Sequence, residues 1–174
     1  WEGPFLLMFF LSAALAAPVW GRLAEGIGPK RVLLVGMVLS ILSFASAVML
    51  GSGDLLAFAV ICLASGAALG ADMTLLPALF AARMEKISPG ATEAFGLWSF
   101  VSKFTLALAA VALLPLLQSG GFQAGQDNTE EALMLLSLLY GALPCVLKLV
   151  AIGLLATTTI DETTLDMKIL EKGA

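Results

Sequence analysis

The fold is decided by one stretch, Glu93-Ala-Phe-Gly-Leu-Trp-Ser-Phe-Val-Ser-Lys103, which an apolar run continues to Leu117. As a helix, this run is long enough to cross a hydrocarbon core of about 30 Å. Lys103 is the only basic residue in it. An ammonium group at membrane depth costs about 3 kcal/mol on insertion scales, so it usually faces a cavity or a partner. We therefore predict a membrane-spanning helix that presents Lys103 to a functional site.

The composition extends this prediction to the whole chain. Of the 174 residues, 60% are hydrophobic and only 13% are charged, whereas soluble domains carry roughly 25% charge. In lipid, backbone groups must be paired within helices or closed barrels, and apolar runs of this length without strict alternation exclude strands. The sequence thus predicts an all-α membrane protein whose main partner is the lipid bilayer. No basic, aromatic-interleaved pattern suggests nucleic acid.

Five apolar runs are expected to form transmembrane helices, a bundle that occupies residues 1–156. They cover Pro4–Trp20, Val32–Leu50, Leu55–Ala82, Ala94–Leu117 and Ala132–Ala156. Residues 157–174 form a polar tail in which a short surface helix is expected. Because the chain starts at Trp1 and the number of spans is odd, we interpret it as a fragment whose upstream part is missing.

The distribution of basic residues predicts the orientation. The second and fourth connections contain no Lys or Arg, so the positive-inside rule places the first and third connections and the tail in the cytoplasm. The expected location is the cell's inner (plasma) membrane, multi-pass, with the first residue outside and the last inside. The basic residues concerned are Arg22, Lys30, Arg31, Arg83, Lys86, Lys168 and Lys172.

The third span contains an acidic residue and two glycines. Asp72 lies near mid-depth, where a carboxylate needs a cation, a proton or hydrogen-bond donors. Two interpretations stay open for it, a site on a solute or ion path and a structural partner for a helix N–H or hydroxyl. Gly66 and Gly70 form a Gly-x-x-x-Gly pair, which favours close helix packing. Pro77 is the expected position of a bend.

One face of the fourth span carries small and polar residues at helical spacing. Ser99, Lys103, Ala107 and Ala110 share this face, which suits the protein interior better than lipid. The alternative for Lys103 is that its ammonium reaches back to the interface. Trp98 is expected to be an interfacial anchor or to line the path. Lys148 of the fifth span is expected to reach toward the inner surface.

The first connection contains glycine, an acidic residue, glycine and two basic residues in order. It resembles the cytoplasmic loop signature of the major facilitator superfamily, in which glycines make a tight turn and the acid pairs with basic groups or a helix N-terminus. The residues that match are Gly21, Glu25, Gly28, Lys30 and Arg31.

Two later segments sharpen the resemblance. Gly70–Leu79 and Glu93–Lys103 resemble the glycoside–pentoside–hexuronide cation symporters, the family that includes the melibiose permease. In that family a lysine on the eleventh of twelve helices follows a segment rich in Gly, Trp and Ser, and Lys103 matches it. Glu93 matches an acid that closes the preceding loop, and Glu85 an acid that opens it.

The resemblance implies a function by alternating access. The chain would form helices eight to twelve, part of the six-helix C-terminal half of a sugar transporter, and its partner would be the N-terminal half. Lys103 would pair with carboxylates of that half until sodium or a proton enters and favours sugar binding. No cofactor other than this coupling ion is implied.

Two alternatives use the same residues differently. Related branches of the superfamily move lipids or other organic solutes, and the few polar residues of the spans do not choose among these cargoes. A non-transporting scaffold is the second alternative. We do not expect an enzyme, because the chain has no histidine, its carboxylates are scattered, and no spacing suggests a metal site.

Overall fold

A computed structural model describes residues 2–48, 50, 54–87, 92–123, 125 and 128–158, and all regular elements in these ranges are helical. Five spans in them are long and apolar enough to cross a membrane. The prediction of an all-α membrane protein with about five transmembrane helices is therefore confirmed. The helices are α1 (Glu2–Ile27), α2 (Pro29–Val48), α3 (Leu55–Ile87), α4 (Thr92–Ser119), α5 (Glu130–Ser137) and α6 (Leu143–Thr157).

The junction between α1 and α2 differs from the prediction of a connection over residues 21–31. Helix α1 continues to Ile27, and only Gly28 separates it from α2. Gly28 has φ +90°, and its N–H donates to the carbonyl oxygen of Ala24 at 3.1 Å. Glycine adopts this left-handed conformation without a steric penalty, and Pro29 is suited to the first helical position because it lacks an N–H. The chain therefore makes the predicted tight turn at a single glycine, and the rest of the predicted connection is helical.

Helices α1 and α3 approach each other closely at the Gly-x-x-x-Gly pair. A Cβ atom on Gly66 would overlap the carbonyl oxygen of Phe9, and one on Gly70 would lie 2.6 Å from the carbonyl oxygen of Ala13. Contacts this short leave no room for a side chain. The packing role predicted for both glycines is confirmed, and α1 is the helix that packs against them.

Two hydrogen bonds reinforce the same interface. The Ser12 hydroxyl of α1 donates to the carbonyl oxygen of Leu63 at 2.6 Å, and Trp20 Nε1–H donates to that of Ala67 at 2.7 Å. Polar contacts between transmembrane helices contribute about 0.6 kcal/mol each on average. The two bonds join the same stretches of α1 and α3 as the glycine contacts and fix the register of α1 on α3.

The buried core lies between α2 and α3, and α6 covers one side of it. Partly buried residues of α6 that pack against this core are Ala151, Ile152 and Leu155. Helix α4 is less enclosed, since Leu117 is its one buried residue. The core residues are Val32, Leu33, Met37, Ala71, Leu75 and Leu79.

One predicted span ends later than expected, and one predicted helix lies outside the described residues. Helix α3 continues through Pro77 to Ile87, five residues past the predicted end of the third span. The surface helix expected in the tail falls in residues 159–174, which are outside the described part of the chain.

Candidate functional site

An ion pair lies inside the helical bundle, at membrane depth. Lys148 Nζ of α6 donates a hydrogen bond to Asp72 Oδ2 of α3. The side chains are 19% and 20% exposed, so both charges are largely removed from solvent. A charge held alone at this depth would be costly, and each of these side chains neutralises the other.

The two residues lie on helices that cross the bundle in the same direction. Asp72 is close to the middle of Leu55–Ile87. Lys148 is nine residues before Thr157, the end of α6, about 14 Å along the helix axis. The contact between the two side chains shows that they lie at the same level of the bundle.

The second carboxylate oxygen of Asp72 has no hydrogen-bond partner in the part of the chain that the structure describes. Oδ1 is buried and makes no hydrogen bond to any described residue. A buried carboxylate oxygen without a donor is unfavourable, since its lone pairs have lost water and gained nothing in return. Chemically, this atom can accept a hydrogen bond, take up a proton or contribute to binding a cation.

The last helical span is interrupted before it reaches Lys148. Leu138–Ala142 form a π-helical turn, closed by a hydrogen bond from the N–H of Leu143 to the carbonyl oxygen of Leu138. Pro144 follows, and it has no N–H to donate to the preceding turn, which explains why regular α-helical bonding fails here. One residue beyond Pro144, Cys145 Sγ lies 3.8 Å from the carbonyl oxygen of Ile41 and contacts α2.

The fourth-span residues predicted for the site do not gather around Asp72. Trp98 is half-buried and packs on Phe80 of α3, with ring centroids 4.7 Å apart. Lys103 is five residues further along, about 140° around the helix from Trp98. Lys103 and Ser99 are exposed, as are Ala107 and Ala110 of the same stripe. The interior-facing role of Lys103 stays a prediction.

One residue of the motif at the α1–α2 junction contacts the end of the last helix. Lys30 Nζ donates to the carbonyl oxygens of Ala156 and Thr158, at 3.3 and 2.6 Å. These are terminal carbonyls of α6, which have no helical donor of their own, and a cation there also complements the helix dipole. Lys30 therefore joins the beginning of α2 to the end of the last helix.

The remaining predicted residues lie at helix ends. Gly21 and Glu25 belong to the last two turns of α1, and Arg31 is exposed in the first turn of α2. Glu85 is in the last turn of α3, and Glu93 is in the first turn of α4, where a carboxylate favours the helix dipole.

Replacement of Lys30 with glutamine is expected to lower the free energy of unfolding by about 1 kcal/mol, because two terminal carbonyls of α6 lose their charged donor. Thermal unfolding of the purified protein in detergent measures this. The loss should shrink at high salt, since the contact is partly exposed and is screened. Arg31→Gln is the matched control, because Arg31 is adjacent and exposed. Equal effects of the two substitutions would contradict the role of Lys30.

The pairing of Lys148 with Asp72 was not predicted from the sequence. Lys148 was expected to reach toward the membrane surface, and the structure instead turns its ammonium to α3. A usable signal was present, because the third and fifth spans run in parallel and each carries one charge of opposite sign at similar depth.

Comparison with known proteins gives one match. A family model described as "MFS/sugar transport protein" matches residues 3–162, nearly the whole chain. No curated protein and no solved structure matches the chain.

Proposed function

Since the chain belongs to the MFS/sugar transport protein family, we propose that it works in cation-coupled symport of sugars or glycosides by alternating access. The narrower assignment rests on the resemblance of Gly70–Leu79 and Glu93–Lys103 to the glycoside–pentoside–hexuronide cation symporters. The observation that carries the proposal is the Asp72–Lys148 ion pair at membrane depth. Ionisable residues in such positions are typical of solute and ion pathways, and scaffolds do not need them.

In this proposal the chain is part of the C-terminal half of a two-halved transporter. The solute site would lie at mid-depth between the halves, and rocking of one half against the other would open it to each side in turn. Helix α4 supports this arrangement, because most of its side chains are uncovered by the rest of the chain. Its face with Ser99 and Lys103 is where we place the N-terminal half of such a transporter.

In this proposal the site residues lie on two helices, α4 and α3. Lys103 would pair with carboxylates of the N-terminal half when no cation is bound, and Ser99 and Trp98 would lie beside the solute path. Asp72 would belong to the same path from the side of α3. The cation, sodium or a proton, would favour sugar binding by changing the charge balance that these residues share.

We also propose that the multi-pass protein lies in the inner (plasma) membrane and that the end of the bundle with Lys30 and Thr158 is cytoplasmic, as the basic residues indicate. Single cysteines at Arg22 and Gln123, introduced after Cys62 and Cys145 are replaced with serine, test the orientation. A membrane-impermeant maleimide added to intact cells should label Gln123→Cys and leave Arg22→Cys unlabelled. The opposite pattern would invert the topology.

The transport proposal is tested with the full-length protein that contains this chain, reconstituted in vesicles. Labelled pentosides, hexosides and hexuronides are supplied with an inward sodium gradient, an inward proton gradient, or the same gradients collapsed by ionophores. At one-to-one coupling, a tenfold cation gradient drives up to about tenfold accumulation. Accumulation that is equal with and without gradients would reject symport.

Two further arms sharpen this assay. Lys103→Val should abolish gradient-driven accumulation, and unchanged accumulation would remove Lys103 from the mechanism. Labelled lysolipid serves as the competing cargo, because related branches of the superfamily move lipids. Cation-driven uptake of lysolipid without uptake of any glycoside would replace the sugar assignment with a lipid assignment.

A further inference from the structure

The chemistry of the Asp72–Lys148 ion pair allows a free monovalent cation to replace the lysine ammonium. One carboxylate oxygen holds the Lys148 ammonium, and the other is buried without a described partner. Ammonium, sodium and a proton all carry a single positive charge, so any of them neutralises the carboxylate. Carboxylate oxygen is a hard ligand, which suits small hard cations.

We propose that Asp72 is a binding site for the monovalent cation and that Lys148 occupies this site as an internal substitute when the cation is absent. The inference rests on the proposed symport function and names the residue at which coupling would occur on this half of the transporter.

The surroundings of the pair limit what can compete for it. In the interior of the described spans, the other charged side chain is Lys103, which is exposed on α4. Asp72 is the one carboxylate in the interior of these described spans. A cation that binds Asp72 therefore leaves the lysine to find a new environment.

A displaced Lys148 ammonium can move part of the way to the membrane surface. Lys148 is about 14 Å from the end of α6, and a lysine side chain can extend toward the interface and cover part of this distance. Displacement of the ammonium is thus costly but possible, which is what a reversible exchange requires.

The pair also connects two helices that both pack on α2. Helix α6 covers the core through Ala151, Ile152 and Leu155, and the Asp72–Lys148 contact joins it to the middle of α3. When a cation replaces Lys148, this polar connection between α3 and α6 is broken. Occupancy of Asp72 would in this way change how firmly α6 is held, and a change in helix arrangement is what alternating access needs.

The test measures thermal stability of the purified full-length protein against increasing sodium or lithium, balanced with choline, and separately against pH. A cation that binds the folded state raises the melting temperature in proportion to its occupancy. The wild type should be stabilised by at least one of these cations. Asp72→Asn should lose this stabilisation, and Lys148→Gln should show it at about tenfold lower cation concentration, because the internal competitor is gone.

Two control variants separate a specific cation response from a general change in stability. Asp72→Asn with Lys148→Gln removes both charges, so it should fold like the wild type and show no cation response. Lys30→Gln is the matched loss of a lysine outside the pair, and it should shift stability without changing the cation dependence. A wild type without cation response, or an identical response in Asp72→Asn, would overturn the proposal.

The same measurements separate this inference from the symport proposal. Stabilisation that depends on Asp72, in a protein that accumulates no glycoside, would reject symport and keep the cation site. Gradient-driven glycoside accumulation, in a protein whose cation response survives Asp72→Asn, would keep symport and reject the site.

Discussion

Replacement of Gly66 with alanine is expected to force α1 away from α3 and to lower the free energy of unfolding by about 3 kcal/mol, the upper end of the range for overpacked sites. The added Cβ would overlap the carbonyl oxygen of Phe9 and would lie 3.1 Å from the Cβ of Ser12. A backbone oxygen cannot rotate away as a side chain can, so the helices must separate. Separation also strains the Ser12 and Trp20 hydrogen bonds in the same α1–α3 interface.

The measurement is the melting temperature of the purified protein in detergent, read from the fraction that stays monodisperse after heating. Gly153→Ala is the matched control, because Gly153 is also helical and has no atom within 4 Å of an added Cβ. Alanine there should be neutral or should stabilise the helix by up to about 1 kcal/mol. If both substitutions gave the same melting temperature, the α1–α3 contact would not be as close as described.

The second large effect is expected from removal of one member of the ion pair. Asp72→Ala leaves the Lys148 ammonium at membrane depth without its counter-ion, and Lys148→Met leaves a lone carboxylate. Breaking a largely buried pair in this way costs about 3 kcal/mol or more, mainly because the remaining charge is unpaired. We therefore expect each single substitution to be strongly destabilising.

A double-mutant cycle separates the pair from its surroundings. Asp72→Asn with Lys148→Gln removes both charges and keeps groups that can hydrogen-bond. Its free energy of unfolding should be close to that of the wild type, because charge removal on both sides also removes the desolvation cost. The coupling energy is obtained from unfolding of the wild type, Asp72→Asn, Lys148→Gln and the double variant. It should be close to the sum of the two single losses, because the double variant is expected to unfold like the wild type. Additive effects would show that the two side chains do not interact.

Much of the fold could be predicted from run lengths and small residues. Apolar runs of about 20 residues must become helices in lipid, because the backbone has no other hydrogen-bond partner there. Gly66 and Gly70 predicted a close helix contact, since no other residue lets two backbones approach so closely. The α1–α2 junction was predicted less well, because polar residues such as Arg22 and Glu25 suggested a loop although they are compatible with the end of a helix.

The candidate site was predicted in part. Asp72 stood out because a carboxylate in an apolar run needs a partner, and the structure supplies one in Lys148. The polar stripe on the fourth span predicted Lys103 as the main site residue, yet in this chain Lys103 is exposed. Helical spacing shows which residues share a face, but it does not show which neighbour that face meets.

The amino-acid sequence alone indicates that this protein spans a membrane with helices and that single charges in its spans need partners, because both follow from the cost of polar groups in lipid. The pairing of Asp72 with Lys148 and the binding of Lys30 to the end of α6 are seen in the folded structure alone. The physical reason is that the cost of a buried charge depends on local burial, whereas the choice of its partner depends on how helices far apart in sequence are placed side by side.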